Sequence, residues 1–128
     1  MRILLDTHAF LWLVTDSPLL SPRARDLFLD SDNQLLLSAV TGFEIAIKHG
    51  FGKLQLAEPP AAFIENRIRN NAMTPLPITL AHTYGLVDLP AIHRDPFNRL
   101  LVAQARFEQV PLLSADTILS EYPIERLW

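Results

Sequence analysis

Short apolar runs alternate along this chain with stretches whose apolar residues recur at helical spacing. Residues 3–5 (Ile3, Leu4, Leu5) form a compact run that stops at Asp6, the pattern of a buried parallel strand. Residues 8–14 read as a short apolar helix through Phe10, Leu11, Trp12 and Leu13. Ser21 before Pro22 pairs a capping hydroxyl with a first-turn proline. The pair opens a helix to about residue 30, with Ala24, Leu27 and Phe28 on one side. A second buried strand is predicted over 34–38, around Leu35, Leu36 and Leu37. A helix over 41–49 follows and stops at Gly50. Pro59 and Pro60 open another, to roughly residue 73, with Phe63, Ile64 and Ile68 on one face and Arg67 and Arg69 on another.

The second half repeats the scheme. A third strand is predicted over 76–78 between prolines, then a helix over 79–86 and a loop over 90–94. Asp95-Pro96 is a second cap-plus-proline signature and starts a helix to residue 108, with Leu100, Leu101, Ala103 and Phe107 inward. A fourth strand over 111–114, a short helix over 115–120 and an edge strand within 124–128 complete the pattern. Strands alternating with helices predict an α/β sandwich around a mostly parallel sheet of four to five strands. No repeat, linker or low-complexity segment interrupts it, so one domain over 1–128 is expected. That length buries roughly two-thirds of the unfolded surface without staples.

Composition removes several function classes. The chain has no cysteine, which excludes disulfides, thiolate catalysis and Cys-ligated zinc. The opening reaches Asp6 after three apolar residues, too few for a signal peptide, and no stretch approaches membrane-spanning length. A cytoplasmic protein with no membrane partner is expected. The net charge of −3 is not that of an obvious nucleic-acid binder, yet the 11 basic residues divide into nine arginines and two lysines. Arginine grips phosphate or carboxylate bidentately, so the bias suits RNA or an acidic partner.

The acids carry the chemistry. On the predicted scaffold Asp6 ends the first strand and Asp116 lies just beyond the fourth. Glu44 sits early in the helix leaving the second strand, and Asp95 begins the helix that leads back to the fourth. All four are expected at one edge of the sheet, where open α/β sheets bind ligands. Clustered carboxylates oppose joint ionisation. A hard divalent cation, magnesium or manganese, removes that conflict through oxygen ligands and supports phosphodiester hydrolysis. Each acid alone has a plainer role: Asp95 and Asp116 as helix caps, Glu44 as the partner of Lys48 four residues on.

These residues fall into longer motifs. Leu4-Leu5-Asp6-Thr7-His8-Ala9-Phe10-Leu11-Trp12 resembles the first motif of PIN-domain proteins of the VapC toxin type. Ser38-Ala39-Val40-Thr41-Gly42-Phe43-Glu44-Ile45-Ala46-Ile47-Lys48, with Gly52-Lys53-Leu54, is similar to their second. His93-Arg94-Asp95-Pro96-Phe97-Asn98-Arg99 and onward to Ala105 resembles the third, and Leu112-Leu113-Ser114-Ala115-Asp116 the fourth. The resemblance implies a PIN-like three-layer fold and a magnesium- or manganese-dependent endoribonuclease, with Asp6, Glu44 and Asp116 as site acids. It also implies a cognate antitoxin and a homodimer. The third motif departs from the pattern: relatives usually read Asp-Pro-Phe-Asp, and here Asp95 is followed by Asn98. Either Asp95 serves, with Asn98 offering a neutral carbonyl oxygen, or metal affinity falls. Arg94 and Arg99 flank this motif and are the candidate substrate contacts.

Three rival readings compete for the same residues. A phosphoacceptor receiver domain needs an acidic pair after the first strand and a late lysine; Thr7 follows Asp6, and no lysine follows Lys53. Serine–histidine catalysis needs a serine on a tight glycine-flanked turn, which neither Ser38 nor Ser114 has. His8 then reads as a capping or packing residue, and His93 as a candidate phosphate contact. The remaining alternative is a catalytically weakened or inactive PIN-like binding module, suggested by Asn98.

Overall fold

The computed structural model describes residues 1–128. Five strands form its sheet: β1 (Arg2–Leu5), β2 (Gln34–Ser38), β3 (Thr74–Leu76), β4 (Leu112–Leu113) and β5 (Arg126–Leu127). Their order is β3-β2-β1-β4-β5, and every pairing is parallel. Six helices surround them: α1 (Thr7–Val14), α2 (Pro22–Leu29), α3 (Ala39–Gly50), α4 (Pro60–Asn70), α5 (Leu80–Tyr84) and α6 (Pro96–Glu108).

Strand alternation divides the core in two. Ile3, Leu5, Leu35, Leu37 and Leu113 join Phe10 of α1, Ala24 of α2, Ile45 of α3 and Phe63 of α4 on one face. Leu4, Leu36 and Leu112 join Leu101, Val102 and Ala105 of α6 on the other. Side chains pointing to opposite faces make a sheet covered on both sides, hence three layers. Ile3, Leu4 and Leu5 are all fully buried, each stabilising the fold by about 1.5–3 kcal/mol.

The caps explain why helices begin where they do. Asp6 accepts from Ala9 N at 2.7 Å, Ser21 from Ala24 N at 3.0 Å, and Asp95 from Phe97 N at 2.8 Å. Ser38 caps α3 through Val40 N, so that helix starts at Ala39, two residues earlier than its apolar pattern indicates. α4 ends at Asn70, short of 73, because Ala72 turns left-handed at φ 51° and redirects the chain into β3. β3 is therefore Thr74–Leu76 rather than 76–78. It contains Pro75, which an edge strand tolerates because the missing N–H costs no ladder bond on its outer side. The short helix expected over 115–120 is a 3-10 turn at Thr117–Glu121, capped by Asp116.

Topology places the site. From β1 the chain steps outward to β2 and β3, then crosses back to β4 and β5 on the other side of β1. Crossovers leaving in opposite directions open a crevice at the carboxyl ends of β1 and β4. Asp6 follows β1 directly, and Asp116 lies three residues past β4.

Candidate metal centre at the carboxyl edge of the sheet

Asp6, Asn98 and Asp116 line one cavity of about 350 Å³, together with His8, Trp12 and Ala115. Each comes from a different element: the cap of α1, the first turn of α6, and the cap of the 3-10 turn. Asp6 N donates to Leu113 O at 3.1 Å, so the crevice floor is itself a hydrogen-bonded junction of β1 and β4.

Asp6 is buried, and burial is the main reason its carboxyl is held above the ordinary value of 3.8. The Ser114 hydroxyl, the Ala9 N–H and the charge of His8 oppose that shift, while the negative field of Glu44 adds to it. A buried carboxylate in this state gains most from a cation beside it.

Glu44 and Asp95 do not line the cavity. Glu44 is buried beside it in a separate network: the Thr7 hydroxyl donates to its Oε1 at 2.7 Å, Lys48 Nζ pairs with its Oε2, and Thr41 hydrogen-bonds Thr7 at 3.1 Å. Asp95 spends Oδ1 on the Phe97 N–H, and its Oδ2 lies 3.5 Å from the Asn98 amide nitrogen. Asn98, not Asp95, thus occupies the third-motif position at the cavity wall. No three His, Asp or Glu side chains form a group that could hold an ion by themselves.

The cationic candidates also separate. Arg94 is exposed just ahead of α6. Arg99 donates to Pro90 O at 2.8 Å and to Leu86 O at 3.5 Å, which makes it a brace for the loop before α6. His93 places Nε2 3.0 Å from Asp116 Oδ2 rather than in solvent. Beside the cavity lies a larger groove of about 540 Å³ that shares the His8 and Trp12 wall. Lys48, Lys53 and Arg67 stand along it, Lys48 paired with Glu44 and Arg67 with Glu58.

Sequence reasoning missed Thr7, Thr41 and Ser114 as parts of this edge. Thr7 and Ser114 were within reach, being short hydroxyl residues inside the first and fourth motifs beside Asp6 and Asp116. Thr41 bonds a residue 34 positions away, which no local pattern reveals.

An all-parallel sheet with two carboxylates and an amide at its topological switch point defines an α/β protein suited to a hard cation or polar ligand at that edge. Residues 3–125 match the PIN domain, and the chain belongs to that family. It is 41% identical over 61 residues to Ribonuclease VapC16 of Mycobacterium tuberculosis, a match covering 48% of this chain and 43% of that protein. The chain thus spans less than half the length of that curated relative. Its fold is that of a chain in the crystal structure of VapBC2 from Rickettsia felis bound to a promoter DNA fragment. The TM-score is 0.75 over 99% of this chain and 98% of that one, at 13% identity. A chain of FitAcB from Neisseria gonorrhoeae gives a TM-score of 0.66 over 98% and 96%, at 18% identity.

Proposed function

We propose that this protein is a magnesium- or manganese-dependent endoribonuclease, the toxin of a toxin–antitoxin pair. The observation that carries the reading is the convergence of Asp6, Asp116 and Asn98 on one cavity at the sheet's switch point. Family membership, a relative named as a ribonuclease, and folds solved as VapBC and FitAcB complexes support it. A single PIN domain over 1–128, a cognate antitoxin, a homodimer and a cytoplasmic setting complete the proposal. No helix is long and apolar enough to cross a membrane.

The donor set fits the cation. Two carboxylates and an amide oxygen are hard ligands, and a magnesium-like ion that keeps several waters needs no closed protein cage. Asp6, Asp116 and Asn98 would hold it. When bound, such an ion lowers the pKa of a coordinated water and stabilises charge on the phosphate. The protein's own part is orientation. The Ala9 N–H fixes one Asp6 oxygen, and the Ile118 N–H fixes Asp116 Oδ1 at 3.0 Å. Glu44 adds negative field from behind while Thr7 and Lys48 hold it in place. Arg94 is free to meet an incoming phosphate.

The test is cleavage of RNA by purified protein with and without manganese, alongside Asp6→Asn. Manganese-dependent cleavage lost in the variant supports the proposal. Asn98 and the lack of a three-acid group favour a second reading, a PIN module that binds without cutting. Absence of cleavage and of calorimetric manganese uptake would select that second reading.

A further inference from the structure

We propose that His93 is a positioning residue, a strut that fixes the Asp116 carboxylate relative to Asn98 across the cavity. Both ring nitrogens are engaged: Nε2 lies 3.0 Å from Asp116 Oδ2, and Nδ1 lies 3.1 Å from the Tyr122 hydroxyl. The same hydroxyl accepts the His93 backbone N–H at 2.8 Å. The Asp116 carboxylate can only accept, which places the ring proton on Nε2, makes His93 the donor to Asp116 and leaves Nδ1 to accept the Tyr122 hydroxyl proton. The two rings stack at 5.5 Å and 12°, and Tyr122 is itself buried in the core beneath α6.

What the imidazole joins matters more than the bonds themselves. Asp116 caps the 3-10 turn and Tyr122 closes it, so His93 brackets that turn at both ends. Two residues after His93, Asp95 caps α6, whose first turn presents Asn98. The chain Tyr122–His93–Asp116 thus ties the loop before α6 to the turn after β4. Those are the two segments that bring Asn98 and Asp116 to one cavity. With Oδ1 fixed by Ile118 N–H and Oδ2 by His93, the carboxylate has one orientation and keeps a free lone pair on each oxygen.

The experiment has two arms. Proton–nitrogen NMR of the wild-type imidazoles should show His93 with its proton on Nε2 and hydrogen-bonded, and that signature should vanish in Asp116→Ala. A proton on Nδ1, or a signal indifferent to Asp116→Ala, would overturn the proposal. The second arm, which rests on the ribonuclease reading, measures manganese binding by calorimetry and the kcat and KM of RNA cleavage. His93→Asn, too short to reach Asp116, should weaken manganese binding about 10–100-fold and lower kcat with little change in KM. His93→Gln, whose amide reaches the Nε2 position, should restore most of that loss. Equal manganese affinities for the two variants, with equal melting temperatures, would overturn the strut. An intact Asp116-dependent Nε2 proton in a protein that takes up no manganese would uphold the strut and refute the ribonuclease reading instead.

Discussion

Two polar groups, each built on a buried residue, sit at the carboxyl edge of the sheet, and they differ in what is left over. Around Gln104, the Ser38 hydroxyl donates to the side-chain oxygen, and the amide nitrogen lies 3.3 Å from both Pro77 O and His82 Nδ1. Thr79 N donates to the same Nδ1 at 3.1 Å, and His82 Nε2 faces Glu108 Oε1 at 3.5 Å. Nearly every donor there meets an acceptor within the chain, and Ser38, His82 and Gln104 are sealed from solvent. On the other side of β1, Asp6 and Asp116 keep oxygen lone pairs turned toward a cavity. Satisfied polarity specifies the fold, while carboxylate capacity left open is where an external cation finds its ligands.

Substitutions can break or sharpen that contrast. Asp6→Asn has the largest expected effect, a loss of about 10³-fold in RNA cleavage rate, because several kcal/mol of charge stabilisation depend on the carboxylate. Its effect on stability has the opposite sign. Burial raises the Asp6 pKa in the folded state, so the fold binds that proton more tightly than the unfolded chain does. The burial that raises its pKa therefore makes Asp6 a net cost to stability at neutral pH, and the amide should melt higher than wild type in metal-free buffer at pH 7. That difference should shrink as the pH falls toward 3.8, as a series of thermal melts would reveal.

Gln104→Leu probes the sealed group. It strands the Ser38 hydroxyl and Pro77 O, so urea unfolding should give a loss of about 2–3 kcal/mol. Cleavage per folded molecule should stay near wild type. Asn98→Asp tests the open group from the other direction: a third charge at the cavity wall should tighten manganese binding about tenfold by calorimetry, given roughly 1.4 kcal/mol per decade. The same variant should be less stable without metal, since the new carboxylate faces Asp6, Asp116 and Asp95. The smallest effect belongs to Ala72→Gly, which relieves a left-handed backbone and should raise unfolding stability by up to about 1 kcal/mol without touching the cavity.

The same contrast marks what could be read from the sequence. Asp6 and Asp116 were legible because each ends an apolar run, and parallel strands put such ends on one edge. The cap-plus-proline pairs at Ser21 and Asp95 located two helix starts correctly. Asn98 was visible as a departure, though only the structure seats it at the cavity and turns Asp95 to capping. β3 was misplaced by two residues because Ala72 and Pro75 both act against their usual preferences, and tertiary packing decides such cases. Ser38 and Gln104 are 66 positions apart, and His93 lies 29 residues from Tyr122. Contacts of that separation have no periodic signature.

The pairing of β1 with β4 joins Leu4 to Leu112. In a chain emerging from the ribosome, every residue from 4 through 112 must be made before that contact can close, and such long-range pairings form slowly. The crevice between Asp6 and Asp116 is therefore absent from every nascent fragment that lacks β4. Synthesis itself withholds the complete site until Asp116 has been made.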